Sequence, residues 1–248
     1  MRIIDIARKR RLKNPFFLDA NGVTIKLKDG FEVGTTGIAD GDTSGTIYTA
    51  VDDNTIRDLD PNTDDYTSIC TTLCTSLRRL FKNEGTFNQD ISHFDTSNVT
   101  TLLEMFENAT LFNQPIGFWD VSSVTECDQV FNGASSFNQP LNNWNVSNVI
   151  DMNGMFWNAS SFNQPLDNWN VGSCERMRLM FRNTPFNKPL NNWNVSNVID
   201  MNAMFLSATI FNQDLSGWCV ENIPTVPPNF DQGATSWVLP RPNWGVAC

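Results

Sequence analysis

The stretch Phe137-Asn-Gln-Pro-Leu141-Asn-Asn-Trp144-Asn-Val146-Ser-Asn-Val149-Ile-Asp-Met152-Asn-Gly-Met155-Phe156-Trp-Asn-Ala159 decides the fold, because it recurs. Phe-Asn-Gln opens at Phe87, Phe112, Phe137, Phe162 and Phe211, and Phe-Asn-Lys stands at Phe186. The steps between them are 25, 25, 25, 24 and 25 residues. A fixed period of this size marks a solenoid, in which each unit covers its apolar face only with its neighbours. Aligned on that tripeptide, apolar residues hold fixed columns: Ile91, Ile116, Leu141, Leu166, Leu190, Leu215, then Phe94, Trp119, Trp144, Trp169, Trp193, Trp218. A further column runs from Val99 through Val124, Val149, Cys174 and Val198 to Ile223. The column Phe81, Phe106, Phe131, Phe156, Phe181, Phe205, Phe230 overruns the clear repeats at both ends, as atypical closing units must.

Two spacings alternate inside a unit. Trp144-x-Val146 has the two-residue period of a short strand. Val149, Met152, Phe156 and Ala159 follow at i, i+3, i+7 and i+10, the stripe of an amphipathic helix, with Ser147 placed as its N-cap. Asn83, Asn108, Gly133, Asn158, Asn183 and Ser207 follow the helical Phe and suit a left-handed terminal turn. The expected fold is an α/β repeat solenoid with one short strand and one short helix per unit. Its expected divisions are an arm (1–20), a β-rich N-terminal cap segment (21–69), the repeats (70–223) and a C-terminal cap (224–248).

The chain has 248 residues, 18% charged and 11% aromatic, with a net charge of −10. That balance fits a packed protein and argues against binding a phosphate backbone. No run approaches the roughly 18 apolar residues of a membrane helix. Met1-Arg-Ile-Ile-Asp-Ile lacks an apolar signal core and a cleavage site, so the expectation is either that the numbering starts after processing or that the protein reaches the outside by another route, such as a virus particle. The basic run Arg8, Lys9, Arg10, Arg11, Lys13 reads as a solvated arm or as a dock for an acidic partner. Val23, Ile25, Leu27, Phe31 and Val33 alternate with polar residues between turns, the pattern of a small β unit.

Of six cysteines, Cys127 and Cys174 lie two repeats apart, about 10 Å at one strand spacing per repeat, beyond disulfide reach. Cys219 and Cys248 flank the non-repetitive tail and read as a bridge that staples it. Cys70 and Cys74 are open to pairing with each other. The Asn88-to-Asn212 ladder reads as structural, each side chain bonding backbone in the turn and in neighbouring units.

The unit resembles the 25-residue repeats of mycoplasma-type surface lipoproteins and the related surface-protein-A class of leucine-rich repeats. The resemblance rests on "FNQPLNNWNVSNVIDMNGMF" and on the spacing Leu141-x-x-Trp144-x-Val146. It covers roughly residues 70–223. "TSGTIYTAVDDNTI" (43–56) looks like the segment leading into such repeats, and "GWCVENIPTVPPNF" like their C-terminal cap. The chain departs from the family in having no lipobox and in Cys174 where Val is usual.

The resemblance implies leucine-rich-repeat geometry, surface display and adhesion without catalysis. In that geometry the residues beside each strand position line a concave face: His93, Asp95, Phe118, Asp120, Asn143, Asn145, Asn168, Asn170, Asn192 and Asn194. Amides with an exposed aromatic suit a protein or glycan ligand. His93 is the sole histidine, which excludes a histidine-based triad or a multi-histidine zinc site. Asp95 and Asp120 are adjacent in their column and form the one weak pair for a shared cation or proton. No cofactor is implied. The expected function is a non-enzymatic surface protein; the alternative is a structural virion or fibre component assembling through solenoid packing and the arm.

Overall fold

The computed structural model describes residues 14–247 and winds the repeat into stacked coils, but with no helix in them. Among these residues there is no α-helix, only two short 3-10 turns, Thr55–Asp58 and Tyr66–Ser68, both ahead of the repeats. The expected α/β architecture with a helix in every unit, and the leucine-rich-repeat geometry drawn from it, are therefore corrected. The reason lies in the backbone. Each coil holds two left-handed residues four positions apart: Arg79 and Asn83, Glu104 and Asn108, Gln129 and Gly133, Gly154 and Asn158, Leu179 and Asn183, Ala203 and Ser207, Asn229 and Gly233. An α-helix cannot pass through such residues, because a left-handed L-residue drives its Cβ toward the following carbonyl.

What forms instead is a run of tight turns with two sets of hydrogen bonds. Alternate N–H groups bond three residues back, as from Leu80 to Leu77, Lys82 to Arg79 and Glu84 to Phe81. The N–H groups between them cross to the next coil: Leu77, Arg79, Phe81 and Asn83 donate to the carbonyls of Thr101, Leu103, Met105 and Glu107 at 2.7–3.2 Å. The same comb leads from the coils beginning at Leu102, Cys127, Met152 and Met177. A stripe at i, i+3, i+7 thus buries one face of a turn run as well as one face of a helix. Beside it, single parallel bridges join Ser76, Thr101, Glu126, Asp151, Arg176 and Asp200 in sequence.

Aromatic rings fill the interior. Within each coil two phenylalanines stack face to face: Phe106 on Phe112 at 3.9 Å, Phe131 on Phe137 at 4.0 Å, Phe156 on Phe162 at 3.9 Å. Between coils the rings repeat at 5.6 Å from Phe106 to Phe131 and from Phe131 to Phe156. The tryptophans form a parallel column, Trp119 over Trp144 at 6.4 Å and Trp193 over Trp218 at 6.3 Å. Each indole N–H donates to a carbonyl one coil back: Trp119 to Ile91, Trp144 to Ile116, Trp169 to Leu141, Trp193 to Leu166, Trp218 to Leu190. That bond explains why the position takes Trp, which fills the core and also satisfies a buried acceptor.

The asparagine of Phe-Asn-Gln is a splice. Its side-chain oxygen accepts the N–H of the next asparagine in the column, from Asn88 through Asn113, Asn138, Asn163 and Asn187 to Asn212. The following glutamine reaches back to the same asparagine, as Gln139 does to Asn113.

Ahead of the repeats stand β1 (Phe16–Leu18), β2 (Ile25–Leu27), β3 (Thr36–Gly37), β4 (Ala39–Asp40), β5 (Tyr48–Asp52) and β6 (Ile69–Leu73). They make two three-stranded sheets, ordered β2-β1-β4 and β3-β5-β6. The main core is continuous from Val51 to Trp237, while Phe16, Ile25, Leu27, Ala39, Tyr48, Ala50 and Cys70 form a second, small one. Cys70, Cys74, Cys127 and Cys174 are buried free thiols, so Cys70 and Cys74 are not bridged. Burial pushes the Cys74 and Cys174 thiols up to about 12. Cys219 is disulfide-bonded. Its expected partner Cys248 lies outside the described residues, as do Arg8, Lys9, Arg10, Arg11 and Lys13 of the arm.

Candidate functional site

Leu141, Trp144 and Val146 point inward, so the residues between them must face out. The proposed ligand residues of this face divide into three groups. His93 and Asp95 are covered by the N-terminal β unit, which corrects the expectation of exposure. The His93 carbonyl accepts from Ile25, its ring Nε2 lies 2.9 Å from the Ile69 carbonyl, and Tyr48 packs on the ring at 5.8 Å. Burial holds the His93 pKa below the usual imidazole range. Asp95 is 2% exposed and accepts from Thr72 and Ser97 at 2.7 Å each.

Asp120, Asn145, Asn170 and Asn194 are exposed but locally engaged. Each side-chain oxygen accepts the N–H two residues on, from Ser122, Ser147, Gly172 and Ser196 at 3.0–3.3 Å. Such Asx turns fold the chain out of the Trp position, and they make Ser147 a turn residue in place of a helix cap. Asp95 and Asp120 are each held by such partners, and among the described residues no three His, Cys, Asp or Glu side chains cluster to hold a metal.

The third group is Phe118, Asn143, Asn168 and Asn192, in one exposed column. Phe118 is 56% exposed, large for an aromatic ring in a protein that buries its other aromatic columns. Gly117 beside it lets the coils meet, since a Cβ there would fall 2.7 Å from the Pro140 carbonyl. Asn142 ties coils together, accepting from the Asn168 backbone and donating to Asp167, both at 3.0 Å. Asn192 accepts from Asn191 at 3.2 Å. The side chains of Asn143 and Asn168 have no hydrogen-bond partner among the described residues. One ring and two adjacent free amides thus stand on consecutive coils.

A second feature lies on the turn-run side and escaped the sequence reading. Leu103, Thr125, Glu126, Asp128, Ile150, Asp151 and Arg176 line a cavity of about 220 Å³. Arg176 is bound to Asp151 at 2.7 Å. Burial, followed by the charges of Asp151, Glu104 and Glu107, pushes the Asp128 carboxyl up to about 6. Its Oδ1 is enclosed, with no hydrogen-bond partner among the described residues. The available signal was the charged column Glu126, Asp151, Arg176, Asp200, which a helical reading spreads over a solvated surface. Neither feature contains an activated nucleophile or a base held by an orienting group.

The family model described as a Mycoplasma protein of unknown function, DUF285, matches residues 75–185 and again 165–247. The chain belongs to the DUF285 family. The DUF285 match starts just before the first coil and ends in the tail, so the β unit formed by β1 to β6 stands outside it. It fits the mycoplasma-type repeats and carries no leucine-rich-repeat relation. Neither a curated protein nor a solved structure matches the chain. Among the described residues no helix is long and apolar enough to cross a membrane.

Proposed function

We propose that this protein is a non-enzymatic recognition module displayed on a cell surface, binding a protein or glycan through the column Phe118, Asn143, Asn168 and Asn192. One observation carries the reading: Asn143 and Asn168 are uncommitted on a surface where neighbouring amides are consumed by turns and splices. Free amides beside an exposed ring offer directional donors and acceptors next to an apolar platform, the combination that recognises sugars and peptide backbones.

The test is a glycan array and a panel of immobilised extracellular-matrix proteins, probed with the native chain and with a Phe118→Ala, Asn143→Ala, Asn168→Ala variant. Binding present in the native chain and lost in the variant is expected, with stability unchanged within about 0.5 kcal/mol per surface site. Equal binding by both would remove this face from consideration.

A second reading is a structural particle component built from copies of the chain. It is favoured by the last coil, where the backbone N–H groups of Asn229, Asp231 and Gly233 have no hydrogen-bond partner among the described residues. Under this reading, deleting residues 2–13 abolishes incorporation into particles while leaving array binding intact.

A further inference from the structure

Along the turn-run side most carboxylates already face a cation. Arg79 and Lys82 bond Glu104, and Lys82 also lies 2.6 Å from the Glu107 carboxylate. Arg176 bonds Asp151 and reaches Glu175 at 3.3 Å. Glu126 and Asp128 differ, since neither has an ion pair among the described residues. Glu126 Oε2 accepts from the Thr101 hydroxyl at 3.0 Å, and the enclosed Asp128 Oδ1 accepts from none of the described residues. The cavity of about 220 Å³ that they line therefore sets three carboxylates, Glu126, Asp128 and Asp151, against the single guanidinium of Arg176.

Apolar surface adjoins this charge. Leu103 and Ile150 line the same cavity, and Ile150 is 39% exposed. Ile199, in the Ile150 column two coils on, is 58% exposed. It lines a second cavity, of about 440 Å³, which shares Arg176 with the first and continues it along Asp200, Thr225 and Pro228. The floor is closed to backbone pairing: the N–H groups of Thr125, Ile150, Glu175 and Ile199 donate to the carbonyls of Thr100, Thr125, Ile150 and Glu175, each at 2.9 Å. An occupant of this groove must be held by its side chains.

The lining limits that occupant. A net negative, partly enclosed cavity favours a cation. Among the described residues no three His, Cys, Asp or Glu side chains cluster to hold a metal, so the cation that fits is organic. A guanidinium pairs best with both oxygens of one carboxylate. Here Asp151 has one oxygen on Arg176 and the other on the Asn153 N–H, and Glu126 has one on Thr101. What is left is single oxygens on separate side chains, the arrangement that suits the three donors of a compact ammonium. A lysine stem can lie along Leu103 and Ile150 while its head reaches Glu126 and Asp128. A free amine would leave Ile199 bare, whereas a chain segment covers it.

We propose that this groove docks an extended segment of a partner protein, seating a lysine ammonium against Glu126 and Asp128 and apolar neighbours on Ile150 and Ile199. The site is separate from the Phe118 column and requires no second copy of this chain. Burial and the charges of Asp151, Glu104 and Glu107 hold the Asp128 carboxyl up at about 6, and a seated ammonium brings it down again.

The probe is the peptide acetyl-Ile-Thr-Lys-Thr-Ile-amide, titrated into the full chain and followed by calorimetry and by NMR shifts. Shifts are expected at Glu126, Asp128 and Ile150. Asp128→Asn and Glu126→Gln are each expected to weaken binding about tenfold. Asp29→Asn, which removes an exposed charge just past β2, is expected to leave it unchanged. Acetylating the probe lysine is expected to abolish binding, and exchanging it for arginine to weaken it. Butylammonium alone is expected to bind more weakly than the peptide. A carboxyl-carbon NMR titration is expected to move Asp128 to lower pH when the probe is present, a readout that a purely structural role would not give. Absence of shifts at Glu126, Asp128 and Ile150 overturns the proposal, as does equal binding by Asp128→Asn or by the acetylated probe. An arginine probe that binds as tightly overturns the choice of lysine, and butylammonium that binds as tightly overturns the choice of a protein segment.

Discussion

The two ends of the stack solve one problem with unequal completeness. At the head, the Tyr66 ring stands edge-on to Phe81 and Phe87 at 5.0 and 5.5 Å, and its hydroxyl bonds the Leu59 carbonyl. At the tail, Trp237 stands edge-on to Phe205 and Phe211 at 5.2 and 4.6 Å, with Arg241 over its outer face at 4.4 Å. A parallel ring continues a column, while a perpendicular one turns its positive edge to the last ring face and stops it. Both ends use that device. They differ in their polar groups: the head also covers backbone carbonyls with Arg57, whereas at the tail the N–H groups of Asn229, Asp231 and Gly233 and the buried Trp237 indole N–H have no partner among the described residues. Closing an aromatic core and closing a hydrogen-bond ladder are separable tasks.

The largest expected effect lies between the ends. Phe156→Ala removes a ring stacked on Phe131, Phe162 and Phe181, and is expected to cost about 3–5 kcal/mol, read by denaturant unfolding. Tyr66→Ala and Trp237→Ala each remove a ring with stack neighbours on one side only, so a smaller loss, about 2–3 kcal/mol, is expected. Exchange mapping separates them, because each coil touches only its neighbours. The first is expected to loosen residues 77–109 and the second residues 201–234, each sparing the far coils. Uniform loosening in either variant would show that the ends are not independent.

Arg57→Ala sharpens the comparison at lower cost. It exposes the carbonyls of Ser76 and Arg78 at the head, and a loss of about 1–2 kcal/mol is expected with faster exchange confined to the first coil. The head then resembles the tail, and new concentration-dependent association through that end is the accompanying readout.

How much of this was legible in the sequence follows from which interactions leave a column. The rings and Trp indoles repeat at one residue type per coil, so stacking and the Asn88-to-Asn212 splice were readable from spacing alone. The turn run was not. Its apolar stripe Val149, Met152, Phe156 satisfies helical spacing, and one left-handed column, with Asn83, Asn108 and Gly133, reads equally well as a helix end. The second left-handed column, Arg79, Glu104, Gln129, Gly154, Leu179, Ala203 and Asn229, carries almost no compositional mark. Those residues accept an unfavourable conformation, about 1–2 kcal/mol each, because it aims N–H groups at the next coil. Only the stacked partner reveals that reason. The same limit applied to the outward face: His93 and Asp95 share columns with Phe118 and Asp120, and only the β unit lying over the first repeat separates covered from open.

The smallest effects are titrations, and they carry opposite signs along the stack. Near the head, hydrogen bonding by Arg79, together with Lys82, lowers the Glu104 carboxyl to about 2 against an unfolded value of about 4. Its stabilisation is therefore present above pH 4 and lost as pH falls toward 2. Arg79 is half exposed, so solvent limits the effect of Glu104→Gln to about 1 kcal/mol at pH 7. One coil further on, burial raises Asp128 to about 6. Its protonated form is the one the fold prefers, so stability rises as pH falls from about 6 to 4. Asp128→Asn keeps a similar shape without the charge and is expected to stabilise the protein by up to about 1 kcal/mol at pH 8, with no gain at pH 4. Unfolding free energies measured from pH 2 to 8 check both. Asp128→Asn should flatten the neutral limb, and Glu104→Gln chiefly the acid limb with a smaller softening of the neutral one, because the largest cause differs, hydrogen bonding to two cations in one case and burial in the other, while the Glu104 charge adds a lesser push to Asp128.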